Sequence, residues 1–252
     1  MQPIPTKPIF EIKKTMKLIQ TTTLFILLFA FSTIQAQRVA GKGDLVTKNH
    51  KVQPFDKLEL SGVFNVTLRQ GQTNEISIEA QENLQQYIIV EQRNHTLDIH
   101  FPKKLNLRKH KKINVEIVFT DLREIETSMV GNLKSDGTIK LNSLKWDNSS
   151  VGNSHLDLNV KNFEADLSAV GNVYLKGWAR KADITSSIVG SLQAEDFLVD
   201  YLDIDNSSVG NVRIHADVEL DIEHSGIGNL HYSGNANITD LSSSGIGKVK
   251  HD

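Results

Sequence analysis

The amino-acid sequence predicts an all-β protein whose second half is a parallel β-solenoid. The pentapeptide SSVGN occurs twice, at Ser149–Asn153 and Ser207–Asn211, and looser copies surround it. The glycine of each copy recurs every 18 to 21 residues, which suits one coil of a solenoid. The first half alternates apolar and polar residues with a period of two and lacks strong helical periodicity, as β-strands do.

The first 36 residues have the zones of a secretory signal peptide. A lysine-containing segment precedes the apolar run Leu24–Phe31, and small and polar residues follow it, so that cleavage is expected after Ala36. Met16 is an alternative start, because the segment before it is long for such a region. A membrane anchor is the other interpretation, although the apolar run is short for a bilayer span and no later segment would span one. We therefore expect export, with residues 37–51 as a linker.

Composition narrows the classes of function. The 252 residues include no cysteine and carry a formal net charge of -2. The absence of cysteine excludes disulfides, thiolate metal sites and a cysteine nucleophile. The near-neutral charge argues against nucleic-acid binding, which needs a basic face to neutralise phosphates.

The region between the linker and residue 124 is predicted to form irregular first coils or a cap. Its strand candidates end on turn residues, and AQENLQQY is the one short helical turn that the pattern suggests. The candidate strands are KLELSGVFNVTLRQG, EISIEA, YIIVEQ, TLDIHF and INVEIVF.

From about residue 125 the chain repeats, and alignment on the recurring glycine produces regular columns. Valine or isoleucine lies one residue before each glycine, serine lies three before it, and an apolar residue lies six before it in every copy. Asparagine follows the glycine in five of seven copies. The structural turn glycines are Gly131, Gly152, Gly171, Gly190, Gly210, Gly228 and Gly247.

The spacing of these columns predicts the path of each coil. Side chains alternate between the faces of a strand, so the serine and valine columns share a face, which we predict to point inward. The column six before the glycine then requires a bend between itself and the serine. Gly-Asn suits a corner, because glycine accepts positive φ without penalty and asparagine tolerates it. A β-propeller is the rival fold, but its blades need about 40 residues.

The strands PFDKLELSGVFNVTLRQG, ISIEAQENLQQYI and TLDIHF, followed by S-x-V-G-N coils, resemble the bacterial family named "putative auto-transporter adhesin, head GIN domain". The resemblance covers about Val52–Asp252. It implies a right-handed parallel β-helix in an exported, adhesin-like protein of a Bacteroidetes-type bacterium, and it supplies no catalytic residue. The segment LELSGVFNV also matches the repeat columns, with Phe64 in the glycine place, and is interpreted as a modified coil.

Acidic residues flank the column six before the glycine and form a predicted ladder on one face. Stacked carboxylates repel one another unless they are screened or bridged. A loosely bound Ca²⁺ is one interpretation and a solvated face is the other. The candidate metal ligands are Asp183, Asp203, Asp205 and Asp221.

Two further surfaces are candidates for binding. KKLNLRKHKK is a dense basic segment between two predicted strands and would suit lipopolysaccharide, an acidic glycan or nucleic acid, although it has no aromatic residues for stacking bases. Its cations are Lys103, Lys104, Arg108, Lys109, Lys111 and Lys112. The column three after the glycine is polar and mildly basic, and it would suit an anionic glycan or a protein, or would simply be solvated. It comprises Lys134, His155, Tyr174, Gln193, Arg213, His231 and Lys250.

Three functions remain open. The first is an exported, non-catalytic binding or adhesion module whose partner is a glycan or an envelope protein, with no cofactor. The second is an envelope structural component that self-associates through an uncapped last coil. The third is a polysaccharide-active β-helix enzyme, which would need paired carboxylates at one distinctive place. We predict no catalytic residue, because the repeated serines have no histidine beside them on the same face.

Overall fold

The computed structural model describes residues 37–252, and these residues form nineteen strands and one 3-10 helix. The predicted signal peptide lies outside the described residues. The strands are β1 (Gln37–Ala40), β2 (Leu45–Lys51), β3 (Lys57–Val63), β4 (Asn65–Gln70), β5 (Glu75–Gln81), β6 (Ile89–Arg93), β7 (Thr96–His100), β8 (Leu105–Arg108), β9 (Asn114–Phe119), β10 (Glu124–Val130), β11 (Leu133–Ser135), β12 (Ile139–Asn148), β13 (Ser154–Leu167), β14 (Val173–Ser186), β15 (Leu192–Asn206), β16 (Val212–His224), β17 (Leu230–Ser233), β18 (Asn237–Ser243) and β19 (Val249–His251). The 3-10 helix is Glu82–Tyr87. No helix within the described range is long and apolar enough to cross a bilayer.

Strands β10 to β19 form the predicted β-solenoid, with about seven turns and coils about 19 residues apart. Each coil lies parallel to the next, and the column of Ile184 keeps its register, so that Ile184 pairs with Ile204 and Ile204 pairs with Ile222. Identical or similar side chains therefore stack along the rod at the ~4.8 Å spacing of paired strands. Apolar inward side chains of the described residues form one continuous core.

The modified coil of β3 and β4 fits the repeat columns as predicted. Ser61 pairs with Ser128, Val63 pairs with Val130 and Val66 pairs with Leu133. On its other side this coil pairs with β7 and β9, which come later in the chain. The coil of β3 and β4 therefore lies between two layers that are both made from later residues.

Antiparallel strands close the N-terminal end of the rod. β5 pairs antiparallel with β9 and with β2, and β6 pairs antiparallel with β7. The segment 37–51, which the sequence predicts as a linker, is instead partly strand, since all seven residues of β2 pair with β5. The sequence did not predict β2, because its side chains are nearly all exposed and apolar residues do not alternate with polar ones there.

The predicted inward direction of the serine and valine columns is wrong. Val189 is 55% exposed and Ser187 is exposed, whereas Ser186 and Ile188, which alternate with them, are buried. β14 ends at Ser186, but buried and exposed residues go on alternating from Ile184 to Val189. The predicted change of face between the columns of Ile184 and Ser187 therefore does not occur. The inward columns were hidden in the sequence because small and polar residues occupy several of their positions.

Those buried polar residues hydrogen-bond to one another inside the rod. The hydroxyls of Ser186 and Ser208 lie 2.9 Å apart, and the Asn206 amide nitrogen lies 2.8 Å from His224 Nδ1. Trp146, which is fully buried, donates from Nε1 to Thr127 Oγ1. Since buried polar groups cost little when they are paired, the core tolerates them and the apolar pattern is weakened.

The Gly-Asn corner combines positive-φ glycines, which the sequence predicts, with close contacts and hydrogen bonds between coils, which it does not. All seven repeat glycines have φ between 134° and 152°, a region that favours glycine. A Cβ on Gly171 would lie 2.1 Å from the carbonyl oxygen of Gly152, so the coils also approach too closely for a side chain. The asparagines add a ladder, in which Asn153 Oδ1 accepts from the backbone N–H of Asn172 at 2.9 Å.

Candidate functional site

The basic segment 103–112, which we call the basic loop, surrounds β8 in the N-terminal half of the chain. β8 pairs with β1 in a separate two-stranded sheet, and the backbone N–H of Lys111 donates to Gln81 Oε1 at 2.8 Å. All six predicted cations are exposed. Within residues 37–252, none of these six lies within ion-pair distance of a carboxylate. The loop is therefore a patch of uncompensated positive charge on a defined backbone.

A lysine bridges three carboxylates in the N-terminal part of the acidic ladder. Lys57 Nζ lies 3.2 Å from Glu59 and 3.2 Å from Glu124, and it also donates to Glu126. The hydrogen bond from Lys57 holds the pKa of the Glu126 carboxyl below its usual value. Among the described residues, one set of three carboxylates has oxygens within 4.8 Å of one another, formed by Glu124, Glu126 and Asp147. Lys57 already contacts two of the three.

The C-terminal part of the ladder contains the four aspartates that the sequence singles out. They lie in register, with Asp183 beside Asp203 and Asp203 beside Asp221. Burial raises the pKa of the Asp203 carboxyl, and the neighbouring carboxylates of Asp183, Asp221 and Asp205 raise it further. Lys181 partly opposes this effect. Stacked carboxylates therefore disfavour the charged form of Asp203 in this half of the ladder, and the four residues remain candidates for loose cation binding.

The column three after the glycine forms an outward row on the face beyond the corner. The rings of His155 and Tyr174 stack in parallel, with centroids 4.3 Å apart and an angle of 8° between their planes. Further along the row, Arg213 donates to Gln193 Oε1 at 3.0 Å. His231 Nδ1 lies 2.7 Å from a carboxylate oxygen of Asp252. This row is partly ordered by its own contacts, rather than uniformly solvated.

The structure adds a cavity that our reading of the sequence did not identify. It has a volume of about 360 Å³ and lies beside the His155–Tyr174 pair; we call it the side groove. Its lining comprises Ser135, Gly137, His155, Leu156, Asp157, Tyr174, Leu175, Lys176, Gln193, Glu195 and Asp196. The signal for it was present in the coil lengths, because the coils before and after the aromatic pair have 21 and 20 residues instead of 19.

A family model described as "Putative auto-transporter adhesin, head GIN domain" matches residues 54–236. The chain belongs to this family. The match covers the cap, the modified coil and most of the regular coils of the head GIN domain, and it agrees with the resemblance seen in the sequence. The adhesin description of the family supports an adhesion-type module.

Solved structures share the architecture of this head GIN domain. One described as a putative adhesin from Bacteroides fragilis is 25% identical, with a TM-score of 0.82, and covers 85% of this chain and 100% of its own. A second, described as a putative lipid binding protein from Parabacteroides distasonis, is 20% identical with a TM-score of 0.67 and the same coverage. A putative adhesin from Parabacteroides merdae is 21% identical with a TM-score of 0.56, again over 85% of this chain and 100% of its own. A search of curated protein sequences found no match.

Proposed function

We propose that this head GIN domain is an exported, non-catalytic adhesion-type module that acts at the cell envelope. The family description and the adhesin-like solved structures support an adhesion role. The lysine-containing and apolar segments before Ala36 support export.

The basic loop is the surface that we assign to the contact, and its six exposed cations without carboxylate partners are the observation that carries the assignment. The whole chain has a net charge of -2, so the loop is a local positive field on a mildly acidic protein. Such a field attracts anionic polymers and brings them in faster at low ionic strength. The partner class is an anionic polysaccharide, either of the envelope or of a surface that the cell meets.

Binding to immobilised dextran sulfate and to lipopolysaccharide tests this assignment. We expect binding that weakens steeply between low and physiological salt, because the charges of the loop are exposed and screened. Replacing all six cations of the basic loop by Gln should weaken binding by about tenfold or more, since each exposed pair contributes up to about 1 kcal/mol.

The matched control replaces Lys161, Arg180 and Lys181 by Gln, three exposed cations on the regular coils. We expect this variant to bind as the unmodified chain does. Equal binding by the six-residue variant, or equal loss in the control, would show that the loop is not the contact surface.

Export is tested separately by mass spectrometry of the protein recovered from cell fractions. The expected result is a chain that begins at Gln37 and is found in the envelope or the medium. Recovery of an intact N-terminus in the cytoplasm would contradict the proposal.

Self-association is the second candidate function, and the last coil is the observation that favours it. Leu241 occupies the column of Ile222, which is fully buried, yet Leu241 is 42% exposed. An apolar strand edge of this kind pairs readily with another chain. Light scattering at high concentration would detect such dimers, and Leu241→Lys should abolish them; a monomer at every concentration would exclude this function.

A further inference from the structure

We propose that the side groove binds a neutral oligosaccharide. The residues involved are separate from the basic loop, so this inference goes beyond the proposed function and does not depend on it.

Extra residues in two coils build the two ends of the groove. Lys134 pairs with His155 and Ile139 pairs with Leu158, so the 21-residue coil places its additional residues in the turn 135–138. On the other side, Tyr174 pairs with Gln193 but Lys176 pairs with Asp196, so one additional residue bulges there. The two 19-residue coils between them form the floor. Insertions that project on one face of a solenoid commonly mark its binding face, and bulges often lie next to sites.

One side of the groove is a rigid aromatic wall. His155 and Tyr174 stack on each other, which restricts the motion of both rings. In the described part of the chain, neither the Tyr174 hydroxyl nor a His155 ring nitrogen has a hydrogen-bond partner. A fixed ring with an unused polar group costs little conformational entropy on binding.

The other side is lined by charged groups, of which some are paired and others are not. Lys176 Nζ lies 3.0 Å from Asp157, and the Asp157 backbone N–H donates to Ser135 Oγ at 2.9 Å. Glu195 and Asp196 on the bulge are exposed, and within residues 37–252 their carboxylates have no hydrogen-bond or ion-pair partner. The groove thus presents both acceptors and donors at fixed positions.

This chemistry favours sugar hydroxyls over an anionic ligand. Three carboxylates and one lysine line the groove, so an anionic glycan would meet a surplus of negative charge. Hydroxyl groups, in contrast, donate to carboxylates in charge-assisted hydrogen bonds and accept from an ammonium group. A neutral saccharide therefore uses both kinds of side chain without a desolvated charge of its own.

A peptide is the weaker fit, because no strand edge is open in the floor. β13 pairs with both β11 and β14, and β14 pairs with both β13 and β15. The backbone groups that would hold an added strand are already used between coils, so β-strand addition is not available here. Side-chain hydrogen bonding remains as the mode of recognition.

Affinity electrophoresis of the exported chain in gels that contain neutral polysaccharides (mannan, xylan, galactan and β-glucan) tests the proposal. Retardation by at least one of them is expected. The double variant Glu195→Gln, Asp196→Asn should lower its affinity about tenfold, the loss expected when hydrogen bonds to charged groups are weakened. Tyr174→Phe should lower it by about threefold, because one neutral hydrogen bond is removed.

The matched control is Asp166→Asn, an exposed carboxylate on the acidic ladder, and its mobility in each gel should equal that of the unmodified chain. Circular dichroism verifies that every variant keeps its fold. Absence of retardation in all four gels, or equal retardation of the groove variants, would overturn the proposal. Dextran sulfate binding through the basic loop would persist in either case, so the two proposals fail separately.

Discussion

The two faces that meet at the Gly-Asn corner follow different rules. Before the corner the outward columns repeat, with serine and then valine in coil after coil. After the corner they change, from His155 and Tyr174 to Gln193 and Arg213. The repeated residues are those that allow each coil to stack on the next, and they include exposed side chains as well as buried ones. Variation instead marks positions that stacking leaves free for binding.

The repeating face is itself uneven in charge. Lys57 supplies a cation to three carboxylates at its N-terminal end, whereas Asp203 lies among aspartates and has its pKa raised. A single repeated pattern therefore has a stabilising half around Lys57 and a destabilising half around Asp203.

The largest effect is expected at the corner. In Gly171→Val the new Cβ would overlap the Gly152 carbonyl oxygen, and φ of 136° would strain the backbone. We expect a loss of about 3 kcal/mol or more in the free energy of unfolding, measured by urea denaturation.

Gly137→Ala is the matched control on the varying face. Gly137 has φ of 84°, but nothing lies within 4 Å of a Cβ placed on it. The expected loss is only about 1 kcal/mol, from backbone strain alone. Equal losses at the two glycines would show that close stacking of the coils does not matter.

The next effect distinguishes the inward and outward columns of one coil. Ile184→Thr places a hydroxyl among apolar side chains and should cost about 2 kcal/mol. Val189→Thr changes a half-exposed side chain and should cost less than about 0.5 kcal/mol. Thermal unfolding of both variants provides the comparison. A large loss of stability in Val189→Thr would show that the valine column points inward after all.

Removal of the Lys57 cation from the stabilising half is expected to have a smaller effect. Lys57→Met should cost about 1 kcal/mol at neutral pH, since the ion pairs are partly exposed. The folded-state pKa of Glu126 is lowered, so its contribution is present above the ordinary value of 4.5 and is lost as the pH falls through the folded-state value. The difference in the free energy of unfolding between Lys57→Met and the unmodified chain should therefore become smaller in acid. A difference that stays constant from pH 7 to pH 3 would contradict this prediction.

The smallest effect has the opposite sign. Asp203→Asn should raise the thermal midpoint slightly at pH 7, because it removes a carboxylate whose pKa is raised above 3.8 by burial and repulsion. Protonation relieves the same cost as the pH falls through the raised value, so the gain should vanish near pH 3. A midpoint that falls at pH 7 would show that the ladder is already compensated.

Much of this architecture was predictable from the sequence, because the corner glycines, the coil length and the modified coil at Ser61 depend on local chain geometry. The direction of the valine column was not, since paired polar residues such as Asn206 and Ser208 are as acceptable inside the rod as apolar ones. The side groove depends on where extra residues fall within a coil, and the glycine spacings report their number but not their place. The basic loop was predictable from its lysine and arginine content. Its lack of ion-pair partners was not, because that depends on which carboxylates the fold brings near it.

The position of β3 and β4 between later strands has a consequence for how the rod assembles. From β12 onward, each coil docks onto one completed just before it, so growth is local and proceeds in one direction. The coil of β3 and β4 instead stays unpaired on both sides at first. β7 and β9 pair with one side, and β10 and β11 pair with the other. A chain that emerges N-terminus first would thus hold its starting layer unfinished until residue 135 has passed, and only then possess a template on which the remaining coils can form.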